Sequence, residues 1–303
     1  MSDSSRPLII VTGALGFIGS ALTKALVAQN KYRVLSVDLP HHLKALDYLK
    51  GGAWSPDIIF HLGACNDTRC EDWAIFQKDI EYAQTLWQWC AANGKRLIYA
   101  SSMATYGNGG IGFDDRKPLG LLNPLTMYAK AKHEFDLWAS QQAEKPAQWV
   151  GLKFSNIYGP GEQNKGAMAS MAWRAYQQIK ETGRVKLSVS VEFPNGALRD
   201  FLYLDDAVAL MVKLIDRPDI SGIFNYGTGQ SHSFREFVEL VFLALHQPIA
   251  IDMEPISAPD AAKYQFLTIA KTDKLRATGM PLSFHSLKEG VIRYVAWLQM
   301  NFP

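Results

Sequence analysis

Three glycines spaced three residues apart follow a short apolar segment near the start of the chain. The segment 8–11 (Leu-Ile-Ile-Val) predicts a strand that is buried on both faces. Gly13, Gly16 and Gly19 come next, and the apolar periodicity that begins at Ile18 predicts a helix. In such a strand, turn and helix, a pyrophosphate rests against free backbone N–H groups at the helix N-terminus. The sequence therefore predicts a dinucleotide-binding segment, with an ordinary glycine-rich turn as the alternative.

Segments that predict strands alternate with segments that predict helices along most of the chain. We predict strands at 8–11, 32–37, 57–62, 96–100, 149–154 and 222–226, and helices at 73–90, 125–141, 167–180, 201–215 (after a short strand), 233–245 and 287–298. This alternation is typical of a parallel sheet covered by helices. The predicted fold class is α/β: a doubly wound Rossmann-type parallel sheet with a smaller α/β substrate-binding lobe at the C-terminal end.

The alternation becomes irregular beyond residue 186, which suggests a division into two parts. We predict that residues 1–160 and 199–230 form an NAD(P)-binding Rossmann domain. Residues 161–198 and 231–303 are then the substrate-binding lobe, laid over the carboxyl ends of the strands, where such sheets bind ligands.

Charge and composition exclude several classes of protein. The chain has 303 residues, 31 of them basic and 29 acidic, and the formal net charge of +2 gives no case for a nucleic-acid or membrane surface. No apolar run approaches the ~20 residues of a membrane span. The three cysteines and the histidine pair at 41 and 42 lack metal-ligand or disulfide spacing. We expect a reduced, cytoplasmic protein without a metal.

A carboxylate ends the second predicted strand. Asp38 lies 19 residues beyond Gly19. A carboxylate there accepts hydrogen bonds from both hydroxyls of an adenosine ribose and repels a 2′-phosphate. An ordinary loop aspartate is the alternative, and the position favours the cofactor role.

A tyrosine and a lysine share one face of the helix predicted at 125–141. Tyr128 and Lys132 are four residues apart, so both can meet the same ligand. A nearby cation lowers the pKa of a tyrosine from ~10, which makes the phenol an acid/base near neutral pH. A surface lysine beside a half-buried tyrosine has the same spacing. However, Ser102 follows the strand at 96–100 at the carboxyl edge of the sheet, and its hydroxyl could bond a substrate oxygen. Together these residues predict hydride chemistry at a carbinol.

These motifs resemble those of a known family. Gly13-x-x-Gly16-x-x-Gly19, Ser102 and Tyr128-x-x-x-Lys132 are similar to the motifs of the extended short-chain dehydrogenase/reductases that act on nucleotide sugars. The resemblance covers nearly the whole chain and is closer to the branch that epimerises ADP-linked heptose than to any other. It is carried by the segments 61–65, 100–107, 156–170, 199–203, 221–229, 263–266 and 295–298. The run at 165–170 (Lys-Gly-Ala-Met-Ala-Ser) is the most branch-specific.

The resemblance implies a nucleotide-sugar epimerase with a bound nicotinamide cofactor, NADP or NAD. Its expected reaction is removal of a hydride from C6 of the heptose, a transient ketone, and return of the hydride to the opposite face, for the heptose of the lipopolysaccharide inner core. Inversion needs acid/base help on both faces, which the resemblance assigns to Tyr128 and Lys165. Lys165 then needs a pKa lowered by burial near another cation. A solvated loop lysine is the alternative.

The resemblance also implies the binding residues. The cofactor-binding residues are Gly13, Gly16, Phe17, Ile18, Gly19, Asp38, Leu39, Leu62, Gly63, Ala64, Cys65, Asn66, Asp79, Lys132 and Ile157. The substrate-binding residues are Asn156, Arg174, Arg199 and Tyr264. The fork of the Arg199 guanidinium suits the diphosphate of ADP.

Several positions depart from the family pattern. Only 19 residues separate Asp38 from Ile58, so we expect the strand and acidic turn that normally flank the adenine to be missing. Lysines that would meet a 2′-phosphate are poorly matched, with Lys44 the nearest, which leaves NAD and NADP both open. Four further positions differ: Asp79 replaces a usual asparagine, Gly161 an arginine, Asn164 a histidine and Arg174 a histidine.

Other functions stay open at this point. One is another nucleotide-sugar epimerase, such as a UDP-sugar 4-epimerase. A 4,6-dehydratase is less favoured, because that chemistry needs an acid pair at the positions where this chain has Met103 and Ala104. A cofactor-binding regulator without turnover typically loses the tyrosine or lysine, and both are present here. We expect a homo-oligomer that binds a nucleotide sugar and binds neither nucleic acid nor membrane.

Overall fold

The structure, a computed structural model, describes residues 5–38 and 42–302. Its strands are β1 (Leu8–Thr12), β2 (Arg33–Val37), β3 (Ile58–His61), β4 (Arg96–Ser102), β5 (Gln148–Phe154), β6 (Asn156–Tyr158), β7 (Val185–Val189), β8 (Leu198–Arg199), β9 (Phe201–Tyr203), β10 (Gly222–Tyr226), β11 (His232–Ser233) and β12 (Ile251–Pro255). Its α-helices are α1 (Phe17–Ala28), α2 (His42–Lys50), α3 (Trp73–Ala92), α4 (Met127–Gln141), α5 (Met171–Thr182), α6 (Leu204–Ile215), α7 (Phe234–Ala244), α8 (Ala258–Lys263), α9 (Asp273–Ala277) and α10 (Leu287–Asn301).

A six-stranded parallel sheet with the order β10-β5-β4-β3-β1-β2 forms the centre of the fold. The chain moves from β1 outward to β2, then crosses back to place β3 on the other side of β1. The strand order therefore reverses between β1 and β3, and doubly wound sheets bind ligands in the crevice at such a point. The predicted α/β fold class is confirmed.

Both faces of this sheet are buried, as the uninterrupted apolar strands predict. Successive side chains of a strand point to opposite faces. Ile9 and Val11 join one hydrophobic cluster with Leu22 of α1, whereas Ile10 joins a second cluster with Leu86 of α3. Helices α1 and α6 cover the first face, and α2, α3 and α4 cover the other.

A third hydrophobic cluster lies in the C-terminal half of the chain. It joins α5, α7 and α10 with strands β7 and β9. The small strand pairs β7–β12, β8–β11 and β6–β9 flank this region. The division into a Rossmann domain and a substrate-binding lobe stays a prediction. No helix within 5–38 or 42–302 combines the length and apolar character needed to cross a membrane.

Helix α5 begins later than its periodicity predicts. Residues 162–168 form a 3₁₀ segment that Gly166 interrupts with a φ of 54°. Ser170 then starts α5, since its hydroxyl accepts a hydrogen bond from the Ala172 N–H at 3.1 Å. Lys165 consequently lies in the short 3₁₀ segment ahead of the helix. The structure also contains α2 and the β7–β12 pair, which the sequence analysis did not predict.

A buried polar network ties α4 to the sheet. Asp136 of α4 and Lys153 of β5 are both fully buried, and Nζ of Lys153 lies 2.7 Å from Oδ2 of Asp136. The Asp136 carboxylate also accepts hydrogen bonds from Ser101 at 2.6 Å and Tyr99 at 3.1 Å, while Lys153 donates to Thr105 at 2.6 Å. Asp136 lies on the same face of α4 as Tyr128 and Lys132, because the three residues follow one another at four-residue spacing. The network therefore fixes the orientation of the helix face that carries Tyr128 and Lys132.

Removing one partner of this ion pair should destabilise the fold strongly. In Lys153→Met the Asp136 carboxylate stays buried without its cation, so we expect the free energy of unfolding to fall by ~3–5 kcal/mol. Urea unfolding followed by tryptophan fluorescence measures it. The double variant Asp136→Asn/Lys153→Met should recover most of the loss. Lys186→Met removes the lysine of an exposed pair with Glu254 and should scarcely change the midpoint. Equal losses in both single variants would contradict this account.

Candidate functional site

The turns that leave β1 and β3 meet backbone to backbone at the switch point of the sheet. A Cβ atom added to Gly13 would lie 2.6 Å from both N and Cα of Gly63, and Gly13 has a φ of +69°. A Cβ added to Gly19 would lie 2.0 Å from the Gly13 carbonyl oxygen. Real side chains do not fit at these distances. Glycine at these positions therefore lets the two turns and α1 close around a crevice.

The N-terminus of α1 opens into this crevice. Gly16 is the N-cap residue, so the first turn of α1 has no side-chain cap, and it contains no acidic residue. The N–H groups of such a turn have no partner within the helix, and the helix dipole adds positive potential there. This arrangement fits the pyrophosphate of a dinucleotide.

Asp38 borders the same crevice from the end of β2. Its Oδ2 accepts a hydrogen bond of 2.6 Å from the backbone N–H of Leu15, in the glycine turn. This bond holds the carboxylate beside the turn, where a ribose attached to the pyrophosphate would lie. Leu39, the next predicted cofactor residue, lies outside the described residues.

The apolar residues predicted to line the cofactor site lie together. Phe17, Ile18 and Leu62 are half-buried and pack against the first hydrophobic cluster, and Ile157 of β6 belongs to that cluster. Asn66 is exposed in the loop after β3. The structure thus brings the predicted diphosphate and nicotinamide contacts to one side of the sheet.

A pocket between α3 and α4 adjoins the crevice. Ala64 and Cys65 of the loop after β3 line it together with Asp79 of α3 and with Tyr128 and Lys132 of α4. The backbone N–H of Cys65 donates to Oδ2 of Asp79 at 2.7 Å, which attaches the loop to α3. The residues predicted to perform and support the proton chemistry therefore share one pocket.

The pKa of Tyr128 departs from the expectation. Burial raises the pKa of Tyr128, and a hydrogen bond with Ser102 opposes that change. The sequence analysis expected Lys132 to lower the pKa of Tyr128. This was wrong, because burial of the phenol outweighs the hydrogen bond with Ser102, the one contribution that lowers this pKa. Burial also lowers the pKa of Lys132, against the charges of Asp79 and Asp136. The site holds a protonated phenol that can donate a proton, with Ser102 beside it.

Lys165, the second predicted acid/base side chain, lies in the 3₁₀ segment ahead of α5, beside the start of α1. Nζ of Lys165 lies 4.9 Å from the centre of the Phe17 ring, at the start of α1. Burial lowers the pKa of Lys165, and the nearby Glu162 raises it by a smaller amount. Glu162 is fully buried and accepts hydrogen bonds from N–H and Oγ of Ser170, at 2.7 and 2.6 Å. It thereby attaches the segment that carries Lys165 to the start of α5.

Arg199 and Tyr264 lie together, Asn156 lies beside them with its backbone N–H donating to the Asp200 carbonyl oxygen, and Arg174 lies elsewhere. The Arg199 guanidinium is buried, 5.4 Å from the centre of the Tyr264 ring and 5.7 Å from that of Phe234. Burial lowers the pKa of Arg199, with Tyr264 acting in the opposite direction. Asn156 is exposed and accepts a hydrogen bond from Thr268. Arg174 is exposed on α5 and is outside the Arg199 cluster.

The structure adds residues that the sequence analysis did not select. His61 lines the pocket, with Nδ1 2.7 Å from Oγ1 of Thr12, and burial, followed by Lys132, lowers the pKa of His61 to about 3. Its imidazole is therefore neutral at physiological pH. The sequence does indicate a special role for Lys153, because it is a charged residue inside an apolar strand. For Glu162 the sequence gives no such indication apart from its position near Lys165.

This combination of a glycine crevice with tyrosine, lysine and serine side chains is that of a nicotinamide-dependent enzyme on a Rossmann-type sheet. The NAD dependent epimerase/dehydratase family matches residues 9–227. The chain belongs to this family, and the predicted family and its nicotinamide cofactor are confirmed.

Curated relatives extend this match over nearly the whole chain. The ADP-L-glycero-D-manno-heptose-6-epimerase of Fusobacterium nucleatum is 38% identical over 322 residues, which cover 95% of this chain and 97% of the relative. The enzyme of the same name from Nitratidesulfovibrio vulgaris strain DP4 is 36% identical over 313 residues, with the same two coverages.

Solved structures share the fold at lower identity. The Helicobacter pylori ADP-L-glycero-D-manno-heptose-6-epimerase has a TM-score of 0.81 and 22% identity and covers 98% of both chains. A Thermus thermophilus UDP-glucose 4-epimerase complex with NAD has a TM-score of 0.79 and 22% identity, covering 96% of this chain and 99% of the other.

Filling the glycine crevice should abolish tight dinucleotide binding. In Gly19→Ala the added methyl group meets the Gly13 carbonyl and displaces the turn, so we expect NAD to bind at least about tenfold more weakly. Isothermal titration calorimetry measures the affinity. Gly120→Ala is the control, since nothing lies within 4 Å of its added Cβ. Unchanged NAD affinity in Gly19→Ala would show that this turn does not hold the dinucleotide.

Proposed function

We propose that this chain is an ADP-glycero-manno-heptose 6-epimerase, an isomerase that inverts C6 by transient oxidation. The observation that carries the proposal is the placement of two acid/base side chains on separate segments around one crevice. Tyr128 lies on α4 beside Ser102, and Lys165 lies beyond the N-terminus of α1, against Phe17. Inversion of a carbinol needs proton transfer on both faces of the carbon. The names of relatives at 33–38% identity support the ADP-heptose substrate.

The buried cation of Arg199 supports binding of a nucleotide diphosphate. Its guanidinium donates to the carbonyl oxygens of Leu198 and Gln265 and packs against two aromatic rings. These contacts fix its orientation. A charged group without a charged partner is costly to bury, and an anionic ligand offsets that cost. Arg199 and Tyr264 would hold the ADP portion, and Asn156 would add a polar contact from the start of β6.

The nicotinamide cofactor of the family supplies one function, acceptance and return of a hydride. The residues of the chain supply the rest. The glycine turn and the first turn of α1 would hold the pyrophosphate, and Asp38 would hold the ribose. Lys132 would bond a ribose hydroxyl near Tyr128, and Asp79, Ala64 and Cys65 line the same pocket.

The directions of the two pKa changes suit complementary proton transfers. Lowering the pKa of Lys165 increases the share of its neutral amine, which can accept the O6 proton as the C6–H bond breaks. Raising the pKa of Tyr128 keeps its phenol protonated, so it can donate a proton to the ketone oxygen as the hydride returns. The substrate ends with the same atoms and inverted C6. Lys165 and Tyr128 then regain their starting states by proton exchange with solvent, and the reverse reaction uses them in the opposite order.

An NMR time course tests the proposed function. Purified protein, with its cofactor present and oxidised, is incubated with ADP-D-glycero-D-manno-heptose while the C6 signals are followed. We expect conversion to a mixture of the two C6 epimers. Parallel incubations with UDP-glucose and a GDP-hexose should show no epimerisation. Absence of conversion of the ADP-heptose, or faster conversion of a UDP-sugar, would overturn the proposed substrate.

Replacing either acid/base side chain should stop turnover without loss of cofactor. Tyr128→Phe and Lys165→Gln each remove one proton-transfer group, so we expect kcat to fall by ~10²–10⁴. The same time course measures it, and bound NAD is measured in parallel. Tyr48→Phe and Lys180→Gln are matched controls at exposed positions and should keep full activity. Full activity in either pocket variant would remove that residue from the mechanism.

The carboxylate of Asp38 should make the enzyme select NAD over NADP. A 2′-phosphate would approach this fixed negative charge, so we expect NADP to bind at least about tenfold more weakly than NAD. Asp38→Asn keeps an acceptor for the Leu15 N–H and should narrow this difference. Asp47→Asn, at an exposed position on α2, should leave it unchanged. Tighter binding of NADP than of NAD by the parent protein would contradict the assigned role of Asp38.

Two further expectations accompany the proposed function. Cys65, Cys70 and Cys90 are free thiols, as in proteins of a reducing compartment, which supports a cytoplasmic location. We also expect the chain to act as a homo-oligomer.

A further inference from the structure

One acidic side chain in the pocket makes contacts that the proposed proton transfers do not use. Asp79 lies half-buried in the N-terminal half of α3 and lines the pocket with Tyr128 and Lys132. Helices α3 and α4 pack together here through Phe76 and Ala131. The Asp79 carboxylate therefore faces Tyr128 and Lys132 from a different helix.

Asp79 also holds one wall of the pocket in place. Its Oδ2 accepts the Cys65 N–H at 2.7 Å. Cys65 lies two residues after Gly63, whose backbone closes on Gly13 in the crevice. The hydrogen bond therefore links the glycine crevice to α3 through three residues of loop. An asparagine in place of Asp79 can still accept the hydrogen bond from the Cys65 N–H but carries no charge. This variant therefore tests the effect of the negative charge while the loop stays attached to α3.

The other carboxylate near Lys132 is already paired. Asp136 lies one turn further along α4, but its Oδ2 is 2.7 Å from Nζ of Lys153, and it accepts two more hydrogen bonds from β4. The charges of Asp136 and Lys153 largely cancel at the distance of the pocket. Asp136 still raises the pKa of Lys132, but Asp79 raises it more, so Asp79 is the main carboxylate whose charge acts on Lys132.

The other groups around Tyr128 and Lys132 do not supply a negative charge in place of Asp79. His61 of β3 is neutral, because burial lowers its pKa to about 3. Burial raises the pKa of Cys65, which keeps that thiol protonated. Burial raises the pKa of Tyr99 of β4 as well, and Ser102 of β4 carries no charge. Lys132 is thus a half-buried cation whose burial favours loss of its proton, with Asp79 opposing that loss.

We propose that Asp79 is a positioning residue of the site: it attaches the loop after β3 to α3 and supplies a negative charge to the pocket that Lys132 and Tyr128 share. The inference rests on the proposed function only for its consequence in turnover. Its physical content, the effect of this charge on Lys132, holds whatever the substrate is. Without the negative charge, a positive Lys132 is less stable and a Tyr128 phenolate is more stable. Both groups then titrate at lower pH.

Direct titration of Lys132 tests this inference independently of activity. The protein is labelled with [13Cε]lysine and purified with NAD bound, and the Lys132 signal is assigned by its loss in Lys132→Arg. We expect the Lys132 pKa to fall by about half a pH unit or more in Asp79→Asn. Asp79→Ser, a second neutral variant, should show the same fall, and Asp79→Glu should restore the parent value. Glu81→Gln is the matched control, since Glu81 lies exposed on the same helix.

An unchanged Lys132 pKa in both neutral variants would overturn the inference, as would an equal fall in Glu81→Gln. The pH profile of kcat/KM provides the link to turnover. In Asp79→Asn the limb assigned to Tyr128 should move to lower pH while the limb assigned to Lys165 stays in place, which a merely structural role would not cause. A shifted Lys132 titration in a protein that does not epimerise ADP-heptose would support the inference and reject the proposed function.

Discussion

The close approach of two backbone turns is the constraint on which the rest of the site depends. Gly13 and Gly63 meet where the strand order reverses, and no side chain larger than hydrogen fits between them. This contact brings the first turn of α1, with its free N–H groups, beside the loop after β3. In the proposed binding mode, the phosphate end and the reactive end of a dinucleotide would both be fixed relative to one sheet. One backbone contact, between Gly13 and Gly63, therefore positions both the proposed binding residues and the proposed reactive residues.

Separate buried contacts hold the proposed reactive side chains beside this crevice. The buried pair of Asp136 and Lys153 holds α4, and with it Tyr128 and Lys132, against β4 and β5. Glu162 holds the segment of Lys165 through its two hydrogen bonds with Ser170. Such buried polar contacts stabilise one arrangement because leaving any partner unpaired is costly. The two proposed acid/base side chains, Tyr128 and Lys165, are therefore held by separate sets of buried contacts.

Local patterns in the sequence were sufficient for the parts of the fold that depend on neighbouring residues. The strand, the glycine turn and α1 follow from apolar periodicity and spacing, and the shared face of Tyr128 and Lys132 follows from helical geometry. Long-range placements were not accessible in this way. Arg199 and Tyr264 meet across 65 residues of chain, and β7 pairs with β12 from an equally distant segment. The direction expected for the Tyr128 pKa was wrong, because spacing identifies a neighbouring cation but does not measure burial.

The central claim is that a hydride leaves C6 and returns to the same carbon within one site. The most direct measurement uses ADP-D-glycero-D-manno-heptose with deuterium at C6, converted in ordinary water and examined by NMR and mass spectrometry. The account predicts that the C6-inverted product keeps its deuterium at C6, because the cofactor that accepts the deuteride returns it before exchange. Product that has lost this deuterium to solvent would mean that C6 is inverted through a proton transfer, and the account would be wrong.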